Sequence, residues 1–193
     1  FESGNRSSPL NYRPISITSV PSKILEHIIF SHIVNHLERH NILSTSQHGF
    51  RKGLSCETQL ASFTHGLHLN LDRNIQTDVI FLDFEKAFDK VPHRRLMYKL
   101  SLLNLDPFAL NWIENFLLER KQFVEINSAQ STTAPVLSGV PQGTVLGPLL
   151  FLIYVNDLPS DISNNIRLFA DGCVLYSKIT CKQDQINLQS DLF

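Results

Sequence analysis

Val79-Ile80-Phe81-Leu82-Asp83-Phe84 is a run of β-branched, aromatic and aliphatic residues broken by one carboxylate near its end. A short continuous apolar run of this kind reads as a strand buried on both faces. Burying an ionised Asp without a partner is costly, so Asp83 is expected to be paired, hydrogen-bonded or holding a metal. Ile166-Arg167-Leu168-Phe169-Ala170 has similar character and ends in Asp171-Gly172, with apolar Cys173-Val174-Leu175-Tyr176 beyond. We expect the Val79–Phe84 and Ile166–Ala170 strands to lie side by side and to bring Asp83 and Asp171 to one point.

Elsewhere the pattern is mostly helical. Residues 1–20 are the exception, since Gly4, Ser7, Ser8, Pro9, Asn11 and Pro14 break any period; only Ile15 to Ile17 suggests a short strand. Pro21-Ser22, with Ser22 as N-cap, opens a helix predicted over Lys23–His40. Its Ile24, Leu25, Ile28, Ile29, Ile33, Val34 and Leu37 cover much of the circumference and predict a well-buried element. A second helix is predicted from Ser55 to about Leu71. A third has Pro92 in its first turn and Leu96, Met97, Leu100 and Leu103 at helical spacing. Asp106 caps a fourth, with Pro107 at its first position and Phe108, Ala109, Trp112, Ile113, Phe116 and Leu117 on its apolar face. Gln122–Ile126 and Thr133–Leu137 read as a hairpin around Asn127-Ser128. Leu149–Val155 reads as a core helix.

Composition narrows the classes. A chain of 193 residues, 42% hydrophobic, can build a substantial core as one domain or two small lobes. A formal net charge of −1 gives no global nucleic-acid signature. Charge is uneven, however: Lys86, Lys90, Arg94, Arg95, Lys99, Arg120 and Lys121 outweigh the acids between them, and the chain from Asp157 onward leans acidic. Three cysteines without CxxC spacing argue against a disulfide framework or a thiolate zinc site, and for a reducing intracellular compartment. The longest apolar run, Leu149–Val155, is far too short to span a bilayer. With no initiator Met and no signal-peptide pattern, we read the chain as part of a longer polypeptide.

Three stretches carry candidate chemistry. His32, His36 and His40 share one helix face at a spacing that can chelate zinc. The metalloprotease signature needs Glu directly after the first His, and the order His36-Leu37-Glu38-Arg39-His40 fails it, so a polar stripe is preferred. Gln47-His48-Gly49-Phe50-Arg51-Lys52-Gly53 sets two cations between glycines, which suits a phosphate or a plain solvated loop. Ser138–Pro148, with three glycines and two prolines, lets backbone approach a ligand, but it fits neither the P-loop nor the dinucleotide pattern.

Taken in order, Asn11-Tyr12-Arg13-Pro14-Ile15-Ser16, Gln47-His48-Gly49-Phe50-Arg51, Leu82-Asp83-Phe84-Glu85-Lys86-Ala87-Phe88-Asp89, Gly139-Val140-Pro141-Gln142-Gly143-Thr144-Val145-Leu146-Gly147-Pro148 and Phe169-Ala170-Asp171 resemble the reverse transcriptases of non-LTR (LINE-type, jockey-like) retrotransposons. The resemblance covers essentially the whole chain. It implies an α/β (α+β) right-hand polymerase palm, an antiparallel sheet backed by helices, with a partial fingers lobe at 1–70 and palm at 71–193. The thumb, and the upstream endonuclease of such elements, are expected to lie outside this chain. The implied activity is RNA-directed DNA polymerisation with an RNA template, a DNA primer and dNTPs, in the nucleus or cytoplasm, and with no membrane partner. The implied cofactor is a pair of Mg²⁺ ions, or Mn²⁺, because hard cations need oxygen donors. By resemblance Asp83 and Asp171 are catalytic metal ligands and the Phe84 carbonyl adds an oxygen. Arg51 contacts the incoming triphosphate. Phe88 is a steric gate against the ribose 2′-hydroxyl, or else a core aromatic. Gln142 and Gly143 belong to the loop on the nascent base pair and template. RNA is expected to be held through backbone and shape, with binding that weakens steeply with salt.

The chain departs from the family at one position. Where the family's metal-binding hairpin has two successive aspartates, this chain has Asp171-Gly172. Asp-Gly favours a type I′ turn, so the fold is expected to survive while a charge at the metals is lost. Loss of one preorganised group of this kind typically costs about 10²–10³ in rate. The alternative is therefore a catalytically inactive retroelement remnant that at most binds nucleic acid. A zinc enzyme built on His32, His36 and His40 is the remaining reading.

Overall fold

The computed structural model describes residues 4–8, 11–13, 15–126 and 128–192. Pro9 and Pro14 of the opening segment and Asn127 of the expected hairpin turn lie outside them. Helices α1 (Val20–Arg39) and α2 (Cys56–Leu71) precede strand β1 (Gln76–Asp83). Helices α3 (His93–Ser101) and α4 (Pro107–Leu117) follow. Next come four two-residue strands: β2 (Lys121–Gln122), β3 (Glu125–Ile126), β4 (Ala129–Gln130) and β5 (Ala134–Pro135). Helix α5 (Leu146–Val155), a 3₁₀ turn (Leu158–Asp161), strands β6 (Asn165–Phe169) and β7 (Gly172–Ile179), and helix α6 (Lys182–Ser190) complete the order.

The main sheet is antiparallel, in the order β1-β7-β6. The β1 strand therefore pairs with β7, not with the Ile166–Ala170 strand as the sequence suggested. A two-residue connection makes β6 and β7 a hairpin, and β7 alone offers β1 its second edge. Nor is β1 buried on both faces. Residues 77–80 are half-covered, but from Phe81 (73% exposed) through Phe84 the strand is open. As an edge strand, β1 runs past the elements that cover the sheet. On one face Ile166, Leu168, Cys173 and Leu175 pack with Leu188 of α6 and with Ile80. On the other, α2 covers the sheet, with Phe63 edge-on to Tyr176 at 5.1 Å. Neither layer reaches the Asp83 end.

The larger core is helical and centred on α5. Leu146, Gly147 and Leu149 to Ile153 are all buried, as an all-round apolar helix requires. Ile33 and Leu37 of α1, Leu96 and Leu100 of α3 and Ile113 and Leu117 of α4 close around it. Helix α1 is less buried than its sequence predicts. Its C-terminal half enters this core, while Ile24, Leu25 and Ile28 remain exposed. Its cap is Ser19 rather than Ser22, since the Ser22 amide donates to Ser19 Oγ at 3.4 Å. Pro92 stands at the N-cap of α3, just outside the helix. Asp106 caps α4 by accepting from the Phe108 amide at 2.8 Å, yet Phe108 itself is exposed and Leu110 packs inward. Ile15 to Ile17 is not a strand; the Ser16 amide donates instead to the Gln142 carbonyl at 2.8 Å. The hairpin expected from Gln122–Ile126 and Thr133–Leu137 appears as two short antiparallel pairs, β2–β5 and β3–β4, the inner one using Ala129–Gln130 in place of the expected second strand.

Candidate active site

Antiparallel register sets Asp83 directly opposite Gly172. Asp171 is the preceding residue, so backbone geometry alone keeps the Cα atoms of the two aspartates within about 9 Å. Asp83 is exposed and Asp171 half-buried. Neither carboxylate is engaged in a hydrogen bond or ion pair with any described residue. Phe84 continues β1 outward and is exposed. Asp83 is not buried as the sequence suggested, because strand-edge exposure lets water solvate the charge, and it is neither paired nor hydrogen-bonded to a described residue.

The turn carrying Asp171 differs from the expected Asp171-Gly172 type I′ turn. Phe169 pairs with Gly172, so the two loop residues are Ala170 and Asp171. Ala170 has φ +54°, whereas neither Asp171 nor Gly172 has positive φ. This sign pattern is that of a type II′ turn. A Cβ built on Gly172 meets only the Phe169 carbonyl oxygen, at 3.4 Å. Glycine at 172 is thus required neither by backbone conformation nor by space.

Segment 46–49 lies against this turn. Leu168 donates to the Ser46 carbonyl and His48 to the Leu168 carbonyl, both at 2.9 Å. Gln47, 3% exposed, accepts from the amides of Gly49 (2.8 Å) and Ala170 (3.0 Å), and its Nε2 donates to the Ala170 carbonyl at 3.3 Å. A Cβ on Gly49 would fall 2.3 Å from the Ala170 nitrogen, so only glycine permits this approach. Arg51 donates through Nη1 to the Ser44 carbonyl at 2.9 Å. Burial, aided by the charges of Arg167 and Arg51, lowers the His48 pKa and favours its neutral form.

The 139–148 loop is fixed from three sides. Gln142 Nε2 donates to Asp89 Oδ1 at 2.9 Å. Gly139 has φ +91° and packs so tightly on Asp89 that a Cβ would meet the Asp89 carbonyl oxygen at 2.8 Å. Gly143 has φ +85° beside Ile15 and Ser16. From below, Glu26 Oε2 accepts from the amides of Val145 (2.8 Å) and Leu146 (3.1 Å) at the start of α5. Phe88 is half-buried, stacked on Phe151 at 4.4 Å and edge-on to Phe50 at 6.2 Å.

Sequence reasoning assigned no role to Gln47 or Glu26. Glu26 was visible as a lone acid among the apolar positions of α1, seven and eleven residues before buried Ile33 and Leu37. Gln47 gave no such signal, because its partners lie 123 residues away. The three histidines do not form a zinc site. His36 Nε2 bonds the Leu103 carbonyl at 2.7 Å and His40 Nδ1 the His36 carbonyl at 2.8 Å. Among the described residues no group of three or more His, Cys, Asp or Glu could hold a metal by itself. Asp83 and Asp171 nevertheless fit a magnesium-type ion, which commonly takes one or two carboxylates and completes its shell with water and substrate phosphates.

Comparison with known proteins agrees with this geometry. The family profile described as "Reverse transcriptase (RNA-dependent DNA polymerase)" matches residues 5–191. The chain is 36% identical over 182 residues to a probable RNA-directed DNA polymerase from transposon X-element of Drosophila melanogaster, covering 91% of this chain and 20% of that protein. It is 31% identical over 179 residues to the RNA-directed DNA polymerase from mobile element jockey of Drosophila funebris, covering 89% and 19%. The chain thus spans about a fifth of the length of these relatives. Telomerase from Candida albicans, solved with a fragment of telomeric RNA, superposes with a TM-score of 0.59 at 14% identity, over 88% of this chain and 31% of that one. That likeness establishes the fold, a partial polymerase palm and fingers. Reverse transcriptases as a family work with divalent metal ions, and among the described residues no helix is long and apolar enough to cross a membrane. The matched family, the relatives and the fold agree: this chain belongs to the reverse transcriptases, in the company of those from non-LTR, jockey-like retrotransposons.

Proposed function

We propose that the open end of β1 and β7 is the nucleotidyl-transfer site of an RNA-directed DNA polymerase, which adds dNTPs to a DNA primer on an RNA template. The observation carrying this reading is the register that sets Asp83 opposite Gly172 and beside Asp171, with both carboxylates unengaged. On this reading Asp83 and Asp171, with the Phe84 carbonyl, hold two Mg²⁺ ions, for which Mn²⁺ substitutes. Bound there, divalent ions lower the pKa of the primer 3′-hydroxyl and neutralise charge on the leaving pyrophosphate. The chain itself supplies hard oxygen donors at a strand end that substrate can reach.

The neighbouring residues take the roles their chemistry suits. Arg51 has one donor on Ser44 and offers the rest of its guanidinium to the triphosphate. Phe88, held between Phe151 and Phe50, is a rigid ring suited to exclude a 2′-hydroxyl. Gln142 and Gly143, framed by Asp89 and Ser16, face the nascent base pair and template. Residues 1–70 act as fingers and 71–193 as palm. An intracellular setting, nucleus or cytoplasm, goes with this reading and with three free cysteines.

Gly172 favours a second reading, a non-catalytic remnant that binds nucleic acid. The family's second aspartate would stand directly across from Asp83, and here that carboxylate is missing. Primer extension on an RNA template, comparing the chain with its Gly172→Asp variant, decides between them. Because a side chain at 172 meets little resistance, the variant should fold and extend primers about 10²–10³-fold faster. Equal, measurable rates would remove the claim of impairment. Nucleic-acid binding without dNTP incorporation by either protein would select the remnant.

A further inference from the structure

The Ala170–Asp171 turn has an unusual construction. A residue bearing a Cβ occupies the left-handed region at its first position, where glycine is the usual choice. Ala170 is also buried, and as a turn residue its amide and carbonyl stand outside the β6–β7 ladder. Both groups are satisfied by one side chain. Gln47 Oε1 accepts from the Ala170 amide and Nε2 donates to the Ala170 carbonyl, while Oε1 also accepts from Gly49. A carboxamide can accept and donate at once; a carboxylate can only accept, and a methionine of similar length donates nothing and accepts only weakly. Gly49 brings its own backbone against Ala170, and the Ser46–Leu168 and His48–Leu168 bonds fix the segment to β6.

We propose that Gln47 is a positioning residue. Its carboxamide clamps Ala170 in the left-handed conformation and thereby presents the next residue, Asp171, beside Asp83. This rests on the reading of Asp171 as a metal ligand. The side chain of Asp171 has no hydrogen-bonding partner among the described residues, so its aim depends on the backbone beneath it. The clamp also adds to the backbone bonds that tie the segment bearing Arg51 to the hairpin bearing Asp171, joining the proposed triphosphate contact to the proposed metal ligand.

The test is made on the chain in its Gly172→Asp form, comparing Gln47→Met with Gln47→Met/Ala170→Gly. Amide hydrogen exchange at Ala170, Mn²⁺ binding and primer extension are read on each. Gln47→Met should speed exchange at Ala170 at least about tenfold. It should weaken Mn²⁺ binding about 10–100-fold, as loss of an outer-shell partner does, and lower kcat more than it raises the KM for dNTP. Glycine adopts positive φ without help, so Ala170→Gly should restore much of the Mn²⁺ affinity lost in Gln47→Met. A residue that only stabilises the fold would lower Tm in both variants and show no such rescue, which would overturn the proposal. Unchanged exchange at Ala170 in Gln47→Met would overturn it as well. If exchange responds as expected while Asp83→Asn leaves Mn²⁺ binding intact, the clamp stands and the assignment of the metal site falls.

Discussion

Glu26 lies fully buried under the start of α5, while Asp83 stands in water at the end of β1, although each follows a pair of apolar residues in the sequence. The fold treats them in opposite ways. At the start of α5 the Thr144 hydroxyl accepts from the Gly147 amide at 3.1 Å, and Glu26 takes the two amides before it from 119 residues away, accepting from Val145 and Leu146. A carboxylate is stabilised there twice, by unpaired N–H groups and by the positive end of the helix dipole. Asp83 makes no such bond and remains available to a ligand. The buried acid Glu26 is held through one of its oxygens, Oε2. Asp83 is left exposed, where its charge meets no desolvation cost.

The largest effect expected from this contrast is at Glu26. Glu26→Leu removes a charged acceptor from one buried and one part-buried amide, at a cost of about 3 kcal/mol, since hydrogen bonds to charged groups contribute about 1.5–3 each and relaxation recovers some. For a chain of this size that lowers Tm by roughly 6–12 °C. Glu26→Gln keeps one acceptor oxygen and should lose only about 1 kcal/mol. Thermal unfolding of the three proteins orders them. A Glu26→Leu protein as stable as the parent would mean that α5 does not need its cap.

Much of the fold was legible because it rests on local signals. Asp106-Pro107 fixed the start of α4, Ser55 that of α2, and the all-round apolar run of α5 its place at the centre of the core. Errors arose where a residue's surroundings are set by distant chain. The run from Val79 to Phe84 has the composition of a central strand, yet nothing local shows that it would be an edge extending past its covering helices. Strand neighbours were misjudged for the same reason: both β6 and β7 are apolar, the two-residue turn makes them adjacent, and the distant segment 46–48 takes the other edge of β6 at Leu168, leaving β7 to pair with β1. At the candidate site the approach of Asp83 to Asp171 was expected from the sequence and is set by the β1–β7 register. Gln47, which bonds the turn before Asp171, and Glu26, which bonds the start of α5, both act over separations of more than a hundred positions, and of the two only Glu26 left a local trace.

A third acid lies between the extremes. Asp184 is solvent-exposed but accepts from the Thr180 hydroxyl (2.7 Å) and the amides of Thr180 (2.8 Å) and Cys181 (3.1 Å) at the start of α6. These bonds, led by that from the Thr180 side chain, hold its pKa at about 2, below the ordinary 3.8. A depressed pKa means that the stabilisation is fully present above 3.8 and is lost as pH falls through about 2. Amide exchange at Thr180 and Cys181 should therefore lose protection across that window, beyond what intrinsic exchange chemistry explains, and Asp184→Asn should remove the pH dependence. If protection persists unchanged to pH 2, the cap is not electrostatic.

Asp83→Asn should have the smallest effect on stability. The carboxylate is exposed and bonded to no described residue, so the substitution should change the unfolding free energy by less than about 0.5 kcal/mol. The same change replaces an anionic oxygen donor by an amide and should abolish measurable Mn²⁺ binding. Isothermal titration with Mn²⁺ alongside thermal unfolding reads both quantities on one sample. Removing repulsion between Asp83 and Asp171 can only raise stability, and the gain should shrink with added salt because the pair is open to solvent. A large loss of stability would place Asp83 with Glu26 among the structural acids, and the distinction between the two carboxylates would fail.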